Sequence, residues 1–470
     1  AVLFEVSGQT IKLATSNPWD KTFTDGLAVQ FSKEVEVYYA TPVGIAATLA
    51  YAQSDRQSAF LEIIHSIETH PDDPDAALHF FDRLIIFAKE DHASDIHIEP
   101  ASDAVHIRFR IDGVLHPVSS YPKSIHERIV ARLKILARLR IDEHALPQDG
   151  RFTVNGETPV DVRVSLVPIT EGENIVLRIL DREARRLHLA ELGMSAHDLE
   201  LVQQSVEHTY GMILSVGPTG SGKTTTLYVL MELLNKPEVN VMSIEDPVEY
   251  AIAHVQQMQV NTEKGLLFAN GLRSIVRQDP DVVMVGEIRD HETADIAINA
   301  AMTGHLLLST MHANDAATMF PRMSEMQIEP FLTASSVVTV IGQRLIRKIC
   351  TQCKQSYTLS SEEALLLSYD QDTADALLWA AKKDALASVT LYRGAGCAHC
   401  GGTGYVDRTG IFEVLTVDEE IRLRVIAKAS ADEIRAVARS RGMTTVLEDG
   451  MRKVVSGETT LSEVMRAIKI

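Results

Sequence analysis

An α/β fold with a parallel sheet is predicted for the larger, C-terminal part of the chain, residues 189–470. Three observations support this prediction. Between about residues 192 and 350, helical patterns alternate with short apolar runs, as in a parallel sheet covered by helices. One run, residues 212–216, leads directly into a glycine-rich loop and then into a helical segment. Another run, residues 281–285, is followed at once by a glycine and an acidic residue.

The glycine-rich loop has the spacing of a phosphate-binding loop, G-x-x-x-x-G-K-[S/T], between a strand and a helix. Its residues are Gly217, Pro218, Thr219, Gly220, Ser221, Gly222, Lys223 and Thr224, followed by Thr225. Glycines let consecutive N–H groups turn inward around phosphate oxygens, and the helix N-terminus adds a favourable dipole. We expect Lys223 to reach the β- and γ-phosphates of ATP and the Thr224 hydroxyl to hold Mg²⁺. A chance match to a glycine-rich turn is the alternative.

Carboxylates follow two of the predicted strands. Glu287 comes after the run at 281–285 and is expected at the carboxyl edge of the sheet, where open α/β folds bind nucleotides. Glu245 and Glu249 follow the run at 241–244. Carboxylates beside a triphosphate repel it unless they orient water or metal, so we assign this cluster to water activation. The alternatives are a solvated loop for Glu287 and capping or ion pairing within the cluster.

Two histidines flank a further apolar run, residues 306–310. They are His305 and His312. Either could sense the γ-phosphate or contact the neighbouring carboxylates. A structural role is the alternative, because a single histidine beside a strand is more often structural.

A separate α+β module is predicted for residues 75–181. Apolar spacing indicates a helix over 76–90, and alternation of apolar and polar residues indicates strands, most clearly over 152–180. A proline-punctuated break at 70–75 precedes the module, and a charged linker at 181–188 follows it. Residues 1–74 are expected to form an N-terminal partner-docking domain remnant and linker.

Composition and charge exclude some classes of protein. The 470 residues carry 45 basic and 64 acidic side chains, a formal charge of −19. An apolar content of 45 % excludes a wholly disordered chain, and the negative charge disfavours nucleic-acid binding through bulk positive charge. The longest apolar run near the start, residues 41–52, is too short to span a bilayer. We expect a cytoplasmic protein and, because the chain opens at Ala1 without a Met, one that begins inside a longer protein.

All four cysteines fall into two C-x₂-C pairs, which is the pattern of a closed tetrahedral Zn²⁺ site. They are Cys350, Cys353, Cys397 and Cys400. The 43 residues between the pairs exceed the usual 15–20 of a zinc ribbon, and an inserted helical hairpin at about 361–385 would account for the excess. Unrelated thiols or a redox dithiol are the alternatives.

Several separate strings resemble the secretion ATPases of type II secretion and type IV pilus assembly systems, the GspE/PilB group. Besides the phosphate loop they are residues 93–100, 108–113, 147–151, 244–249 and 277–290. The resemblance implies a RecA-like ATPase domain at 189–470, preceded by a PAS-like α+β domain at 75–181. It also implies a zinc-binding subdomain at 345–415 and C-terminal helices at 416–470.

The resemblance also implies roles for individual residues. Glu249 matches the proposed general base of this group, Glu287 the Walker B glutamate, and His305 and His312 its histidine box. Arginines that approach phosphate in the group align with residues of both modules: Arg163, Arg178, Arg273 and Arg277. Arginine supplies the planar donor that spread phosphoryl charge requires. Arg273 and Arg277 are spaced to share one helical face, and a solvated strand face is the alternative for Arg163 and Arg178.

The expected function is a hexameric ATPase that powers pseudopilus assembly for type II secretion. The resemblance implies platform and docking proteins of the inner membrane as partners, with membrane association only through them. The alternatives are a type IV pilus assembly ATPase, a nucleic-acid translocase and a non-catalytic nucleotide-gated scaffold. The cysteine module favours assembly over pilus retraction. A metal site at Asp95, His97 and Glu99, which share a strand face, is a further alternative.

Overall fold

The computed structural model describes most of the chain in two compact units, residues 1–182 and 183–470. The described residues are 2–7, 10–18, 24, 27–28, 33–40, 60, 62–69, 74–154, 159–180, 188–397 and 399–469. Several predicted features lie outside these residues. They are the apolar run at 41–52, the linker residues 70–73 and 181–187, and a turn at 155–156.

The first unit begins with a small three-stranded sheet in the order β1-β2-β3. Its strands are β1 (Val2–Ser7), β2 (Thr10–Thr15) and β3 (Glu34–Tyr39). β1 and β2 are antiparallel, whereas β2 and β3 run parallel.

The main part of the first unit is a six-stranded antiparallel sheet in the order β6-β5-β4-β9-β8-β7. Its strands are β4 (Ala93–Pro100), β5 (Val105–Ile111), β6 (Val114–Tyr121), β7 (Gln148–Val154), β8 (Val160–Ile169) and β9 (Gly172–Leu180). Two helices accompany it, α1 (Pro74–Glu90) and α2 (His126–Leu136). The predicted α+β module is therefore confirmed.

Alternation along these strands gives the sheet one buried and one solvated face. In β8, Val162 and Val164 are buried, while Arg163 between them is only half-buried. The buried face joins the apolar sides of α1 and α2 in one core. Phe60 and Ile64, from the segment that precedes α1, belong to the same core.

The second unit is built on a seven-stranded sheet in the order β12-β11-β13-β14-β10-β15-β18. Its strands are β10 (Gly211–Val216), β11 (Val241–Glu245), β12 (Gln256–Gln259), β13 (Val282–Val285), β14 (Leu306–Met311), β15 (Val337–Ile349) and β18 (Tyr405–Thr416). All neighbours run parallel except β18, which is antiparallel to β15. The predicted parallel sheet is confirmed.

Helices cover both faces of this sheet, which explains why its central strands are continuous apolar runs. The covering helices are α3 (Ala196–Val206), α4 (Lys223–Leu234), α5 (Phe268–Ile275), α6 (His291–Met302), α7 (Met319–Glu325) and α8 (Pro330–Ser336). Every residue of β10 and β14 is buried. Separate apolar cores lie on the two faces of the sheet.

The cysteine segment and the C-terminal helices complete the second unit. The strands β16 (Lys354–Thr358) and β17 (Thr390–Gly394) form a two-stranded antiparallel sheet. Between them in the chain lie the helices α9 (Ser361–Ser368) and α10 (Gln371–Ala381). These two helices are the predicted insertion. The last four helices are α11 (Glu419–Ile426), α12 (Ala431–Ser440), α13 (Val446–Ser456) and α14 (Leu461–Ile468). Across the described part of the chain, no helix has the length and apolar character needed to cross a membrane.

Candidate functional site: the carboxyl edge of the parallel sheet

Four parallel strands of the second unit end at one edge of the sheet, and the predicted phosphate-site residues follow them. The registers pair Val216 at the end of β10 with Met311 at the end of β14, and Val285 at the end of β13 with Ser309. The phosphate loop, Glu287 and His312 therefore leave the sheet at the same edge. Glu245, the last residue of β11, ends there as well.

The phosphate loop joins β10 to α4, as its pattern predicts, and three of its backbone positions are restricted to glycine. Gly217, Gly220 and Gly222 have φ of 148°, 79° and 89°, which side-chain-bearing residues rarely adopt. A Cβ at Gly217 would also lie 2.5 Å from the main-chain oxygen of Gln343. Ser221 Oγ is buried without a hydrogen-bond partner among the described residues. The loop thus offers N–H groups and an unpaired hydroxyl to an anion, which fits a nucleotide phosphate.

Lys223 begins α4 directly after the glycines of the loop and is only 8 % exposed. Its Nζ donates hydrogen bonds to the main-chain oxygens of Gly217 at 2.8 Å and Pro218 at 2.9 Å. Burial, and the positive charge of Arg344, lower the pKa of Lys223 to about 8, although the negative charge of Glu287 opposes this shift. The ammonium is therefore held in place by carbonyl oxygens rather than by a carboxylate.

Glu287 follows β13 and faces two basic side chains. Its Oε2 lies 2.5 Å from Arg289 Nε and 3.5 Å from His312 Nε2. The Glu287 side chain is 13 % exposed, whereas those of Arg289 and His312 are 65 % and 47 % exposed. This places His312 beside the predicted Walker B glutamate.

Glu249 is half-buried and borders a small cleft next to the phosphate loop. The cleft is lined by Thr224, Thr225, Tyr228, Glu249 and Tyr250. Thr224 is exposed and Thr225 half-buried in this cleft. A carboxylate therefore faces the same space as the threonine that is predicted to hold Mg²⁺.

Glu245 is in a different environment from Glu249, because its carboxylate is buried and fully hydrogen-bonded. It accepts hydrogen bonds from Ser243 Oγ at 2.6 Å, from Gln257 Nε2 at 3.1 Å and from the Tyr228 hydroxyl. The residue is 2 % exposed, and burial raises the pKa of its carboxyl group against the opposing effect of these three donors. This environment differs from the open carboxylate that the sequence predicts for water activation.

His305 lies at the amino end of β14, at the opposite edge of the sheet from the phosphate loop and His312. His305 precedes the first residue of β14, and its main-chain oxygen accepts a hydrogen bond from Gly211 N, at the start of β10. The six residues of β14 lie between it and His312, so the two histidines are seven residue steps apart, about 23 Å at roughly 3.3 Å per residue. Its Nδ1 lies 2.9 Å from the Ala300 oxygen, a local structural contact.

Arg273 and Arg277 do not share a continuous α-helical face, contrary to the prediction from their spacing. α5 ends at Ile275, and Arg277 lies in the tighter 3₁₀ turn Val276–Gln278 that follows. Arg273 pairs with Glu292 at 2.7 Å, and Arg277 donates to Ser274 Oγ at 3.3 Å. Arg273 is therefore already paired with a surface carboxylate.

Arg163 and Arg178 lie in the first unit, directly opposite each other on β8 and β9. Both project from the solvated face of the six-stranded sheet, because their neighbours along each strand are buried. Arg178 is 54 % exposed and its Nε donates to Asp95 Oδ1 at 3.0 Å. Arg163 has no hydrogen bond or ion pair with any residue in the described ranges.

The alternative metal site on β4 is not supported by the contacts of its side chains. Asp95 pairs with Arg178, and Glu99 Oε1 lies 2.6 Å from Arg108 Nη2. Burial, and the charge of Arg110, lower the pKa of His97. Ion pairs with arginine therefore occupy the carboxylates of this strand.

Two site residues were missed by the sequence analysis, Gln343 and Arg344 in the middle of β15. Gln343 accepts a hydrogen bond from Thr226 Oγ1 at 2.7 Å, and its amide nitrogen packs against Gly222. Arg344 is 9 % exposed and donates to the Asn314 main-chain oxygen at 2.6 Å. Burial lowers the pKa of Arg344. The available signal was a polar pair that interrupts an apolar strand adjacent to β10.

The four cysteines converge, with all their sulfur atoms within 4.8 Å of one another. Sγ of Cys350 lies 3.7 Å from that of Cys397, and Sγ of Cys353 lies 3.9 Å from that of Cys400. A tetrahedral site with Zn–S bonds of about 2.3 Å requires sulfur separations of about 3.8 Å. Cys400 Sγ also accepts N–H groups of Cys397 and Gly404, both at 3.2 Å. The residues therefore fit a zinc ion.

Comparison with known proteins gives long matches. The family described as type II/IV secretion system protein matches residues 72–466. Type II secretion system ATPase E of Vibrio cholerae is 43 % identical over 383 residues, which cover 81 % of this chain and 73 % of that protein. The type IV pilus assembly ATPase PilB of Thermus thermophilus is 42 % identical over 394 residues, which cover 84 % of this chain and 43 % of that protein.

A solved structure supports the fold. The X-ray structure of the ATPase DotB of Legionella pneumophila matches with a TM-score of 0.59 at 19 % sequence identity. The match covers 83 % of this chain and 95 % of that chain. At this identity the likeness concerns the fold alone.

Proposed function

This chain belongs to the type II/IV secretion system protein family, and we propose that it powers assembly of a pseudopilus for type II protein secretion. It is an ATP hydrolase of the secretion and pilus motor type. The observation that carries the proposal is the meeting of the phosphate loop, Glu287 and Glu249 at one edge of a parallel sheet. A nucleotide needs a phosphate cradle, a metal position and a carboxylate for water at one place.

The second unit supplies residues for binding and for proton transfer. Main-chain N–H groups of the loop and Lys223 would hold the β- and γ-phosphates, and Thr224 would hold Mg²⁺, which supplies charge neutralisation when bound. Glu249 would accept the proton of the attacking water as general base. Glu287, as the Walker B glutamate, would help to hold Mg²⁺ in place, with His312 beside it. His305 has no part in this arrangement, because β14 separates it from the loop.

The arginines of the first unit would stabilise charge in the transition state. Arg163 and Arg178 are adjacent cations on a solvated face, and developing phosphoryl charge is stabilised by such donors. The proposal is that this face closes on the nucleotide held by the second unit and opens after hydrolysis. Movement around residues 181–188 would then displace an attached partner. Arg273 and Arg277 are assigned to the same charge stabilisation, for which Arg273 would have to leave Glu292.

A homohexamer is the proposed working form, cytoplasmic and peripheral on the inner membrane. Residues 1–74 would dock on a cytoplasmic protein of the secretion machine, and an inner-membrane platform protein would receive the movement. Membrane association would come only through these partners. Relatives named as a type II secretion ATPase and a type IV pilus assembly ATPase support a place in such a machine.

Zinc is the proposed structural cofactor of the cysteine segment. The ion would join β16 and β17 at their ends, since Cys353 precedes β16 and Cys397 follows β17. We expect one zinc per chain by elemental analysis. We also expect loss of the metal in Cys353→Ser, with a lower unfolding temperature, since structural zinc sites contribute folding free energy. A zinc-free chain with unchanged unfolding temperature would contradict this assignment.

Type IV pilus assembly is a second candidate function, and one observation favours it. The chain is 42 % identical to a pilus assembly ATPase, close to the 43 % shared with a secretion ATPase.

The experiment that tests the proposed function measures ATP turnover and oligomer mass together. The chain is assayed alone and with the cytoplasmic region of an inner-membrane platform protein from a type II secretion system, and then with that of a type IV pilus system. We expect stimulation and a hexamer with the secretion partner. Stimulation by the pilus partner alone would assign the chain to pilus assembly, and stimulation by single-stranded DNA would indicate a translocase instead.

A further inference from the structure

We infer that Tyr228 is a positioning residue for the nucleotide site, and that the buried Glu245 acts through Tyr228 to place Glu249. This inference rests on the proposed role of Glu249 as general base. It changes the assignment of Glu245 from a group that contacts water to one that holds another residue in position.

The phenolic oxygen of Tyr228 links the two glutamates directly. It donates a hydrogen bond to Glu245 Oε2, and it accepts one from the main-chain N–H of Glu249 at 3.1 Å. Tyr228 lies on α4, one turn after the phosphate loop, and it is 1 % exposed. The helix that carries Lys223 and Thr224 therefore also fixes the main chain that carries Glu249.

Glu245 is shielded from the space in which water would be activated. Three side-chain donors, from Ser243, Gln257 and Tyr228, occupy its two oxygens. The residue is 2 % exposed, and it does not line the cleft that Glu249 borders. A buried carboxylate that accepts three hydrogen bonds fixes the groups that donate to it.

The same hydrogen-bond network supports the segment on the far side of Glu249. Gln257 Nε2 donates to the Tyr250 main-chain oxygen at 3.1 Å, and Gln257 Oε1 accepts from Ile252 N at 2.8 Å. The ring of Tyr250 packs on that of Tyr228, with centroids 4.6 Å apart. Glu249 is therefore held by Tyr228 at its own N–H and by a fixed residue next to it in the chain.

General bases work only within hydrogen-bond reach of the proton that they accept, so a small displacement of Glu249 affects the chemical step more than it affects nucleotide binding. Removing the Tyr228 hydroxyl should therefore lower kcat and leave KM almost unchanged. A purely structural role would instead lower kcat by the same factor in the wild-type background and in the Glu249→Gln background.

The test is a double-mutant cycle on the full-length chain, with Tyr228→Phe, Glu249→Gln and the double variant. We expect kcat to fall about tenfold in Tyr228→Phe, with KM for ATP within about twofold of wild type. Glu249→Gln should lose about 100-fold in kcat. The double variant should match Glu249→Gln, because the hydroxyl has no base left to position.

Two further variants keep the test decisive. Tyr210→Phe makes the same chemical change at a tyrosine that is 57 % exposed, and it should behave as wild type. Glu245→Gln keeps the side-chain volume but turns an amide towards the donors of the network, so it should reduce kcat about three- to tenfold without changing KM. The effect of Glu245→Gln on kcat should also vanish in the Glu249→Gln background. This comparison tests the inference without Tyr228→Phe, in case that variant does not fold.

The outcomes separate the inference from the function on which it depends. If the Tyr228→Phe and Glu245→Gln losses multiply with that of Glu249→Gln, or if kcat is unchanged in both, the positioning role is wrong and the base assignment stands. If Glu249→Gln turns over ATP like wild type, the base assignment itself is wrong and the inference is overturned with it.

Discussion

The two units of the chain present the cations that we propose to act on phosphate in opposite ways. Lys223 of the second unit is 8 % exposed, and two main-chain oxygens hold it before any phosphate arrives. Arg178 of the first unit is 54 % exposed, and Arg163 stands opposite it without a carboxylate partner among the described residues. A buried, fixed charge suits binding, because little reorganisation is needed. A solvated pair has a strong effect only when an anion excludes water from it.

The largest expected effect concerns Lys223, the buried cation of the second unit, and its contribution to ATP binding. Lys223→Ala removes the only side chain that the loop pattern assigns to the phosphates. We expect ATP affinity to fall by at least about 100-fold and hydrolysis to be lost. Titration with a fluorescent ATP analogue measures the first effect. An affinity within threefold of wild type would show that the loop is not the nucleotide site.

The next largest effect concerns the solvated arginines of the first unit and their contribution to kcat. Arg163→Ala should lower kcat about 100-fold while ATP affinity stays within about threefold, because its charge acts on the transition state. Arg108→Ala is the matched control, since Arg108 lies on the same face of the sheet and is paired with Glu99. Steady-state kinetics on both variants decide the point. Equal losses in the two would mean that the face contributes stability or general charge only.

A smaller effect is expected for the two histidines, which lie at opposite edges of the parallel sheet. His312 is 3.5 Å from Glu287, so His312→Ala should lower kcat about fivefold to tenfold through altered orientation of that carboxylate. His305→Ala at the opposite edge should stay within about twofold of wild type. Turnover at saturating ATP measures both, and a larger loss in His305→Ala would place a phosphate contact there.

The smallest effect concerns pH. The pKa of Lys223 is lowered to about 8, mainly by burial, and a bound phosphate would raise it again. Binding then takes up a proton above pH 8, so ATP affinity should fall as the pH rises, by at most about tenfold per pH unit. Below pH 8 the lysine is already charged, and this dependence should disappear. Lys223→Arg should bind with no such slope, since arginine stays protonated. The same slope in the arginine variant would assign the proton to another group.

The sequence predicted the features that depend on local patterns. The phosphate loop is recognisable because strand, glycine spacing, Lys223 and helix follow one another in the chain. The parallel sheet is predictable because strands buried on both faces are continuous apolar runs, as in β10 and β14. The convergence of the cysteines follows from the paired C-x₂-C spacing.

Features that depend on long-range contacts were not predictable. The buried Glu245 accepts hydrogen bonds from Tyr228, 17 positions earlier, and from Gln257, 12 positions later. Arg344 reaches the loop only because β15 pairs with β10, although Arg344 lies 128 positions after Val216, the last residue of β10.

 In the register of β10 and β15, Leu214 pairs with Val340. The distance of His305 from the phosphate loop also depends on the fold, because the two ends of a strand lie at opposite edges of the sheet.

The most direct test of the central claim, that both units act on one nucleotide, is a distance measurement between them. Spin labels on unnatural amino acids at the exposed positions Ser120 and Ser440 leave the four cysteines untouched. Distance distributions are compared without nucleotide, with ADP and with a non-hydrolysable ATP analogue. The account predicts a distinct distance with the ATP analogue, which is lost in Arg163→Ala/Arg178→Ala while the analogue still binds. The same distribution in all three states, or an unchanged response in the arginine variant, would contradict it.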